Sequence, residues 1–439
     1  MTSTSTRTSA STPSPRMPVP SAPAHADDGF AAATGPIRPF FTDRDFDFDF
    51  RCLLGQAAYG VGDVGMWLAT AGEITDGDRP SWFTAWTRRA DQLAAMGQAM
   101  TATDPVAAAW AYLSASTTYS AAVLAVYGMP AEEAGAVTLP TFRNGRRCWE
   151  RVIDLSGGRH VRFEVPYEGT VMPGWLLRPD SSGVARPTLV ITNGSDGALT
   201  SLWPMASEAL ARGWNAALFD GPGQQSMLFE HGMPFRHDWE AVLTPVLDTL
   251  IARPDVDGDA LTAYGISQGG YWLPRALAFE HRIIAAVVDG GVVDVSRSWL
   301  RHLPAPLLEM LDTGQKDAFN QALAGIGDNP EVAREVAFRA KPYGLTDPYD
   351  LFTAVRQYDL RPVAANITTP LMIADPVGEQ FFPGQPAELA DLLTAPHELA
   401  HFAPDDGAGF HCQPLAQRLL TARAFTWFST WLQRAEQQG

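Results

Sequence analysis

The sequence predicts an α/β fold: a mostly parallel sheet flanked by helices, preceded by a helical region and interrupted by a helical insertion after the sixth strand. Three observations carry this expectation. From about residue 188 onward, short apolar runs alternate with helical segments, the pattern of a parallel sheet covered on both faces. Residues 40–129 have apolar positions at helical spacing instead. Within the alternating region, Gly265-Ile266-Ser267-Gln268-Gly269 stands at the junction of an apolar run and a helical segment, where a sharp strand-to-helix turn fits.

The elements follow in order. Residues 1–38 form a Ser/Thr/Pro/Ala-rich tract that cannot bury a core and is expected to be disordered. It has Arg7 and Arg16 but no apolar stretch, so it is not a secretory signal. Residues 39–140 read as a helical domain, with helices over 85–100 and 106–126. Asp104-Pro105 supplies a cap and a proline at the first helical position, and Gly128-Met129-Pro130 ends the array. The aromatic residues here, Trp82 and Trp86 among them, are expected in the core. Residues 141–437 read as the α/β domain, opening with β-like runs at 151–155, 161–165 and 171–177 that form a meander. Strands at 188–192, 215–219, 261–264 and 283–288 then alternate with helices at 201–212, 235–252 and 271–279. A helical insertion spans about 294–358, strands resume at 370–374 and 397–402, and 413–433 closes as an amphipathic helix.

Composition excludes several classes. The chain has 439 residues, 46% hydrophobic with 13 Trp and 22 Phe, enough for a sizeable core. A formal charge of −17 leaves little positive field for nucleic acid or an anionic membrane. Lys316 and Lys341 are the only lysines. Cys52, Cys148 and Cys412 are widely separated, fitting neither a disulfide framework nor a zinc site, so no metal is expected and the compartment is expected to be reducing and cytoplasmic. No apolar run approaches the roughly 18 residues a membrane-spanning helix needs.

The chemistry centres on Ser267. In a Gly-x-Ser-x-Gly turn the flanking positions must lack bulk, and the hydroxyl is pushed out beside a helix N-terminus. A serine nucleophile needs a base, and the base a carboxylate. On an α/β-hydrolase sheet the acid and then the histidine follow the serine along the chain. His397 and His401 fall in or beside a strand, where a satisfied neutral histidine is the expected role. His411 sits in a loop directly before the last helix and is the candidate base. Glu379 is the first choice for the acid, with Asp375, which abuts the strand, as the second. The amides of Gln268 and Ser195 are candidates for the oxyanion hole. Gly194 and Asp196 in the same loop, and Asp294 after the 283–288 strand, are candidates for the pocket wall. Asp220-Gly221-Pro222-Gly223-Gln224 has no GK[ST] and reads as a structural turn. In His237-Asp238-Trp239-Glu240 the acids suit a helix start.

Several blocks together resemble a known group: residues 193–203, FDGPGQ at 219–224, HDWE at 237–240, YGISQGGYWLPRALAFEHRI at 264–283, DPVGEQFFPGQ at 375–385 and GFHC at 409–412. They are similar to the α/β-hydrolases related to 2,6-dihydroxypseudooxynicotine hydrolase and the fungal polyketide-shortening hydrolases of pigment synthesis. The likeness runs over about residues 40–435. It implies a cofactor-free serine hydrolase, with a helical cap over the site, that cleaves a C–C bond beside a ketone in an aromatic or polyketide small molecule. Carried over, the triad is Ser267, His411 and Glu379, a Glu where the nicotine-pathway enzymes carry Asp. Gln224-Gln225 also departs from the group's GQG. A homodimer is compatible with the resemblance. The rival readings are an esterase, an acyltransferase or cyclase on the same scaffold, and a binder that has kept the fold without the activity.

Overall fold

In the computed structural model, residues 33–326 and 336–437 are described. Most of the expected disordered tract, residues 1–32, lies outside them, as does a short piece of the insertion. Among the described residues, these helices lead into the sheet: α1 (Arg44–Gly55), α2 (Val64–Ala71), α3 (Arg79–Met100), α4 (Pro105–Leu124) and α5 (Ala131–Asp154). Asp43, Asp78 and Asp104 each cap a helix by accepting an amide hydrogen bond from the first turn, satisfying donors that have no partner inside the helix. Across α3 and α4, Trp82 Nε1 donates to the Ala121 carbonyl at 2.8 Å.

Two sequence expectations fail here. Gly128-Met129-Pro130 does not end the array, because Pro130 occupies the N-cap of α5, where a missing N–H costs nothing. The expected strand at 151–155 is instead the last turn of α5. Its apolar residues continue a helical stripe through Phe142, Cys148, Trp149, Val152 and Ile153, all buried. Seen alone, five residues cannot distinguish the two periods.

The sheet has eight strands: β1 (Val161–Tyr167), β2 (Thr170–Leu177), β3 (Arg186–Thr192), β4 (Asn215–Phe219), β5 (Val256–Ile266), β6 (Ala285–Asp289), β7 (Leu371–Pro376) and β8 (His397–Phe402). Their spatial order is β1-β2-β4-β3-β5-β6-β7-β8. The pairs β1–β2 and β2–β4 are antiparallel, and the rest are parallel. Every residue of β4 and β6 is buried, as expected of strands covered on both faces. The chain leaves β3 toward β4 and returns on the other side as β5. That reversal makes a crevice at the carboxyl ends of β3 and β5, where open α/β sheets bind their ligands.

Two apolar layers sandwich the sheet. One joins Trp82, Trp86 and Trp149 of the N-terminal helices to Leu189, Ile191 and Leu218 of the sheet and to Phe425 and Phe428 of the closing helix Gln417–Glu436. The other packs Val190, Ala263 and Val288 against Trp239 and Trp272. After the sixth strand, helices Ser296–Leu300, Ala305–Asp312, Lys316–Ile326 and Pro348–Val355 form the insertion, with a small core of Leu307, Leu311, Phe319 and Phe352. Among the described residues, no helix is long and apolar enough to cross a membrane.

Candidate active site

Ser267 follows β5 directly and has φ of +55°, a left-handed conformation that is costly for a side chain bearing Cβ and characteristic of functional turns. Its amide donates to the Asp289 carbonyl at the end of β6, at 2.8 Å. The tightness of the turn explains its glycines. A Cβ on Gly265 would lie 2.4 Å from the Gly269 carbonyl oxygen, and one on Gly270 only 1.8 Å from that of Gly290.

His411 comes from the loop before the closing helix, and its Nε2 is 2.9 Å from Ser267 Oγ. Its Nδ1 is 2.7 Å from Glu379 Oε2. The other carboxylate oxygen, Oε1, accepts the amides of Phe381 and Phe382 at 3.0 and 3.1 Å. Gln380 Oε1 accepts the His411 amide at 3.0 Å, so one turn after β7 holds both the ring and the backbone of His411. Burial raises the Glu379 carboxyl, but His411 and the two amides outweigh it and leave the pKa below the usual glutamate range. For His411, burial pulls the pKa down, while Glu379, then Asp289 and Asp196, push it up, with a net rise above the ordinary value.

Asp375, the second choice for the acid, does not approach His411. It pairs with the solvent-facing His401 Nδ1 at 2.7 Å, because a residue still inside β7 projects its side chain from the sheet face. His397 is a strand-end residue whose Nδ1 lies 2.9 Å from the Ala395 carbonyl. Asp294 is likewise a correction: it is not part of the pocket wall. It accepts from Ser296 N and Oγ and pairs with Arg361, bracing the start of the insertion. Asp238 does not cap its helix; both its oxygens take Arg236 at 2.8 Å.

The loop after β3 closes over the serine. A Cβ on Gly194 would fall 2.9 Å from Ser267 Cβ, so only glycine permits that approach. Among the described residues, the amides of Ser195 and Gln268 donate no hydrogen bond. The sequence reading missed the residues that hold this loop. Gln224 Nε2 donates to the Asn193 and Gly194 carbonyls at 2.9 and 3.1 Å, and Gln225 Nε2 to the Gly197 carbonyl at 2.9 Å. The FDGPGQ block was the available signal. Asp289 was missed too: fully buried, it accepts the Tyr264 hydroxyl at 3.0 Å, and burial pushes its pKa up to about 6.

Ser267, His411, Gly194, Ser195, Asp196 and Gln268 all border one cavity of about 1140 Å³. Its walls come from the N-terminal helices, the insertion and the turn after β7 and are rich in aromatic side chains, including Phe48, Tyr119, Phe142, Trp149, Trp299 and Phe381. Among the described residues, no group of three or more His, Cys, Asp or Glu is placed to hold a metal ion.

No protein-family model matches the chain. The hydrolase LUC6 of a Fusarium species is 30% identical over 416 residues, covering 89% of this chain and 97% of its own. The 20-hydroxy-prefusarin hydrolase FUS2 of Gibberella moniliformis is 29% identical over 336 residues, covering 73% and 79%. The crystal structure of 2,6-dihydroxy-pseudo-oxynicotine hydrolase superposes with a TM-score of 0.67 at 18% identity, over 86% of this chain and 95% of the other. That likeness shows a shared α/β-hydrolase fold.

Proposed function

This chain belongs to the α/β-hydrolase family of these fungal hydrolases, and from that premise we propose that it is a serine hydrolase forming an acyl-enzyme on a polyketide-type or aromatic small molecule in secondary metabolism. The observation that carries the reading is the unbroken chain Ser267 Oγ–His411–Glu379 at 2.9 and 2.7 Å, at the edge of an apolar cavity.

In this reading Ser267 Oγ attacks a substrate carbonyl while His411 Nε2 takes its proton, and Glu379 holds the Nδ1 tautomer and supports the imidazolium. The free amides of Ser195 and Gln268 receive the oxyanion. Collapse of the tetrahedral species breaks the bond to the leaving group, which departs with the proton from His411. Where that bond is C–C, the leaving carbon must be stabilised as an enolate, so a β-diketone is the substrate class that fits. Water, deprotonated by His411, then releases the acid and regenerates Ser267. An aromatic-walled, mostly apolar cavity supports a flat, largely apolar substrate.

The test has two arms. A fluorophosphonate should add one adduct, mapped by mass spectrometry to Ser267 and absent in Ser267→Ala. β-Diketones should then be turned over faster than simple aryl esters. Equal, promiscuous ester cleavage would overturn the C–C assignment, and an unlabelled Ser267 in folded protein would overturn the serine mechanism.

A further inference from the structure

One face of α1 lines the cavity. Asp45, Phe48, Asp49 and Cys52 recur at three- and four-residue spacing, a single helical stripe. Asp45 is satisfied, accepting from Arg79 at 3.1 Å and from the Tyr127 hydroxyl at 3.0 Å. Asp49, one turn on, differs: among the described residues its carboxyl takes part in no hydrogen bond or ion pair. Phe48 beside it packs on Phe381 of the acid turn, with ring centroids 5.6 Å apart, so this stripe faces the same space as Ser267. A carboxyl turned into a cavity with no hydrogen-bonding partner is costly to ionise there. Burial, then the neighbouring Asp45 and Asp196, with Asp43 adding and Arg79 opposing, hold its pKa well above the usual carboxylate range. In its protonated form that carboxyl offers the cavity one O–H to donate and one carbonyl to accept.

We propose that Asp49 is a specificity-determining residue whose carboxyl group hydrogen-bonds a hydroxyl or carbonyl oxygen on a part of the substrate other than the reacting carbonyl, so that the cavity selects oxygenated, uncharged molecules over hydrocarbon or cationic ones of equal size. The inference rests on the cavity being the substrate site, and it narrows the substrate class. An apolar pocket discriminates weakly against an added hydroxyl, whereas a site built to hydrogen-bond one discriminates strongly.

The experiment is binding to the full chain carrying Ser267→Ala, by calorimetry, using three probes of one size: 1,3-diphenyl-1,3-propanedione, its phenol-bearing analogue and its aminomethyl analogue. The phenol should bind at least about tenfold more tightly than the parent diketone between pH 6 and 8. Adding Asp49→Leu should reduce that ratio to within about twofold, while Asp49→Asn, a neutral isostere, should retain most of it. Asp49→Leu should melt no lower than its parent, which separates lost recognition from lost structure. The proposal is overturned if the phenol preference survives Asp49→Leu, if the aminomethyl probe binds best and Asp49→Asn abolishes that preference, or if no probe binds. Fluorophosphonate labelling of the unaltered chain keeps the two readings apart. A labelled Ser267 with no phenol preference sinks only the role of Asp49; a preference without labelling sinks only the serine mechanism.

Discussion

At the scale of single residues, His411 sits under opposed influences. Burial disfavours its charge, but the adjoining Glu379 carboxylate favours it and the net pKa is raised. As the base must be neutral to take a proton, kcat/KM should fall on the acid side with a midpoint above the ordinary histidine value of about 6.5. Glu379→Gln removes the stabilising charge, so the midpoint should move to lower pH while kcat drops on the order of 10³- to 10⁴-fold. A pH–rate profile of both proteins checks this; an unmoved midpoint would count against Glu379 as the partner. Asp289 gives a stability signature of the opposite kind. Its folded pKa of about 6 lies above the ordinary 3.8, so its contribution is fully present below the ordinary value and is lost as pH rises through 6. Asp289→Asn should therefore gain stability relative to wild type as pH climbs from 4 to 7, read by melting temperature across that range. Ser267 and His411 were legible because their signals are local: a glycine-flanked turn and a loop ahead of the last helix. Gln380 and Asp289 were not, since a side chain that braces a distant segment leaves no mark on its own, and Gln224 was signalled only by the FDGPGQ block.

At the scale of elements, α1 ties the N-terminal helices to the candidate triad. Arg51 and Asp47 form a fully buried ion pair at 2.6 Å, and the Arg51 guanidinium stacks 4.8 Å from the ring of Phe410, the residue before His411. Arg51→Ala would strand the Asp47 carboxylate and should cost roughly 3–5 kcal/mol in urea unfolding. The double replacement Asp47→Leu with Arg51→Met should cost much less, because no charge is left unpaired. The strand-to-helix turn is equally unforgiving. Gly270→Ala would drive a Cβ to 1.8 Å from a backbone oxygen and should yield little folded protein, measured as soluble yield and circular dichroism. Strands β4 and β8 fall on the predicted residues, since their apolar runs are bounded by turn residues. The last turn of α5 was misread because an apolar stretch so short fits either period.

At the scale of the whole molecule, the N-terminal helices and the sheet share one apolar layer, running from Trp82 and Trp149 through Ile191 and Leu218 to Phe428. Because this layer is continuous, the chain should unfold in a single calorimetric transition, and residues 155–437 expressed alone should aggregate. Two well-separated transitions, or a folded fragment, would contradict this. Both α1 and the insertion line the cavity, so substitutions in either should change substrate choice more than they change labelling of Ser267.

The sequence by itself determined the class of fold, the strand-to-helix turn at Ser267 and the loop bearing His411, because periodicity and turn chemistry are written into neighbouring residues. Only the tertiary structure placed Glu379 rather than Asp375 beside His411, left Asp294 off the cavity wall and, among the described residues, showed Asp49 without a hydrogen-bonding partner. Those outcomes depend on which way a side chain points once strands and helices from remote parts of the chain have packed together, and spacing along a single segment carries no record of that.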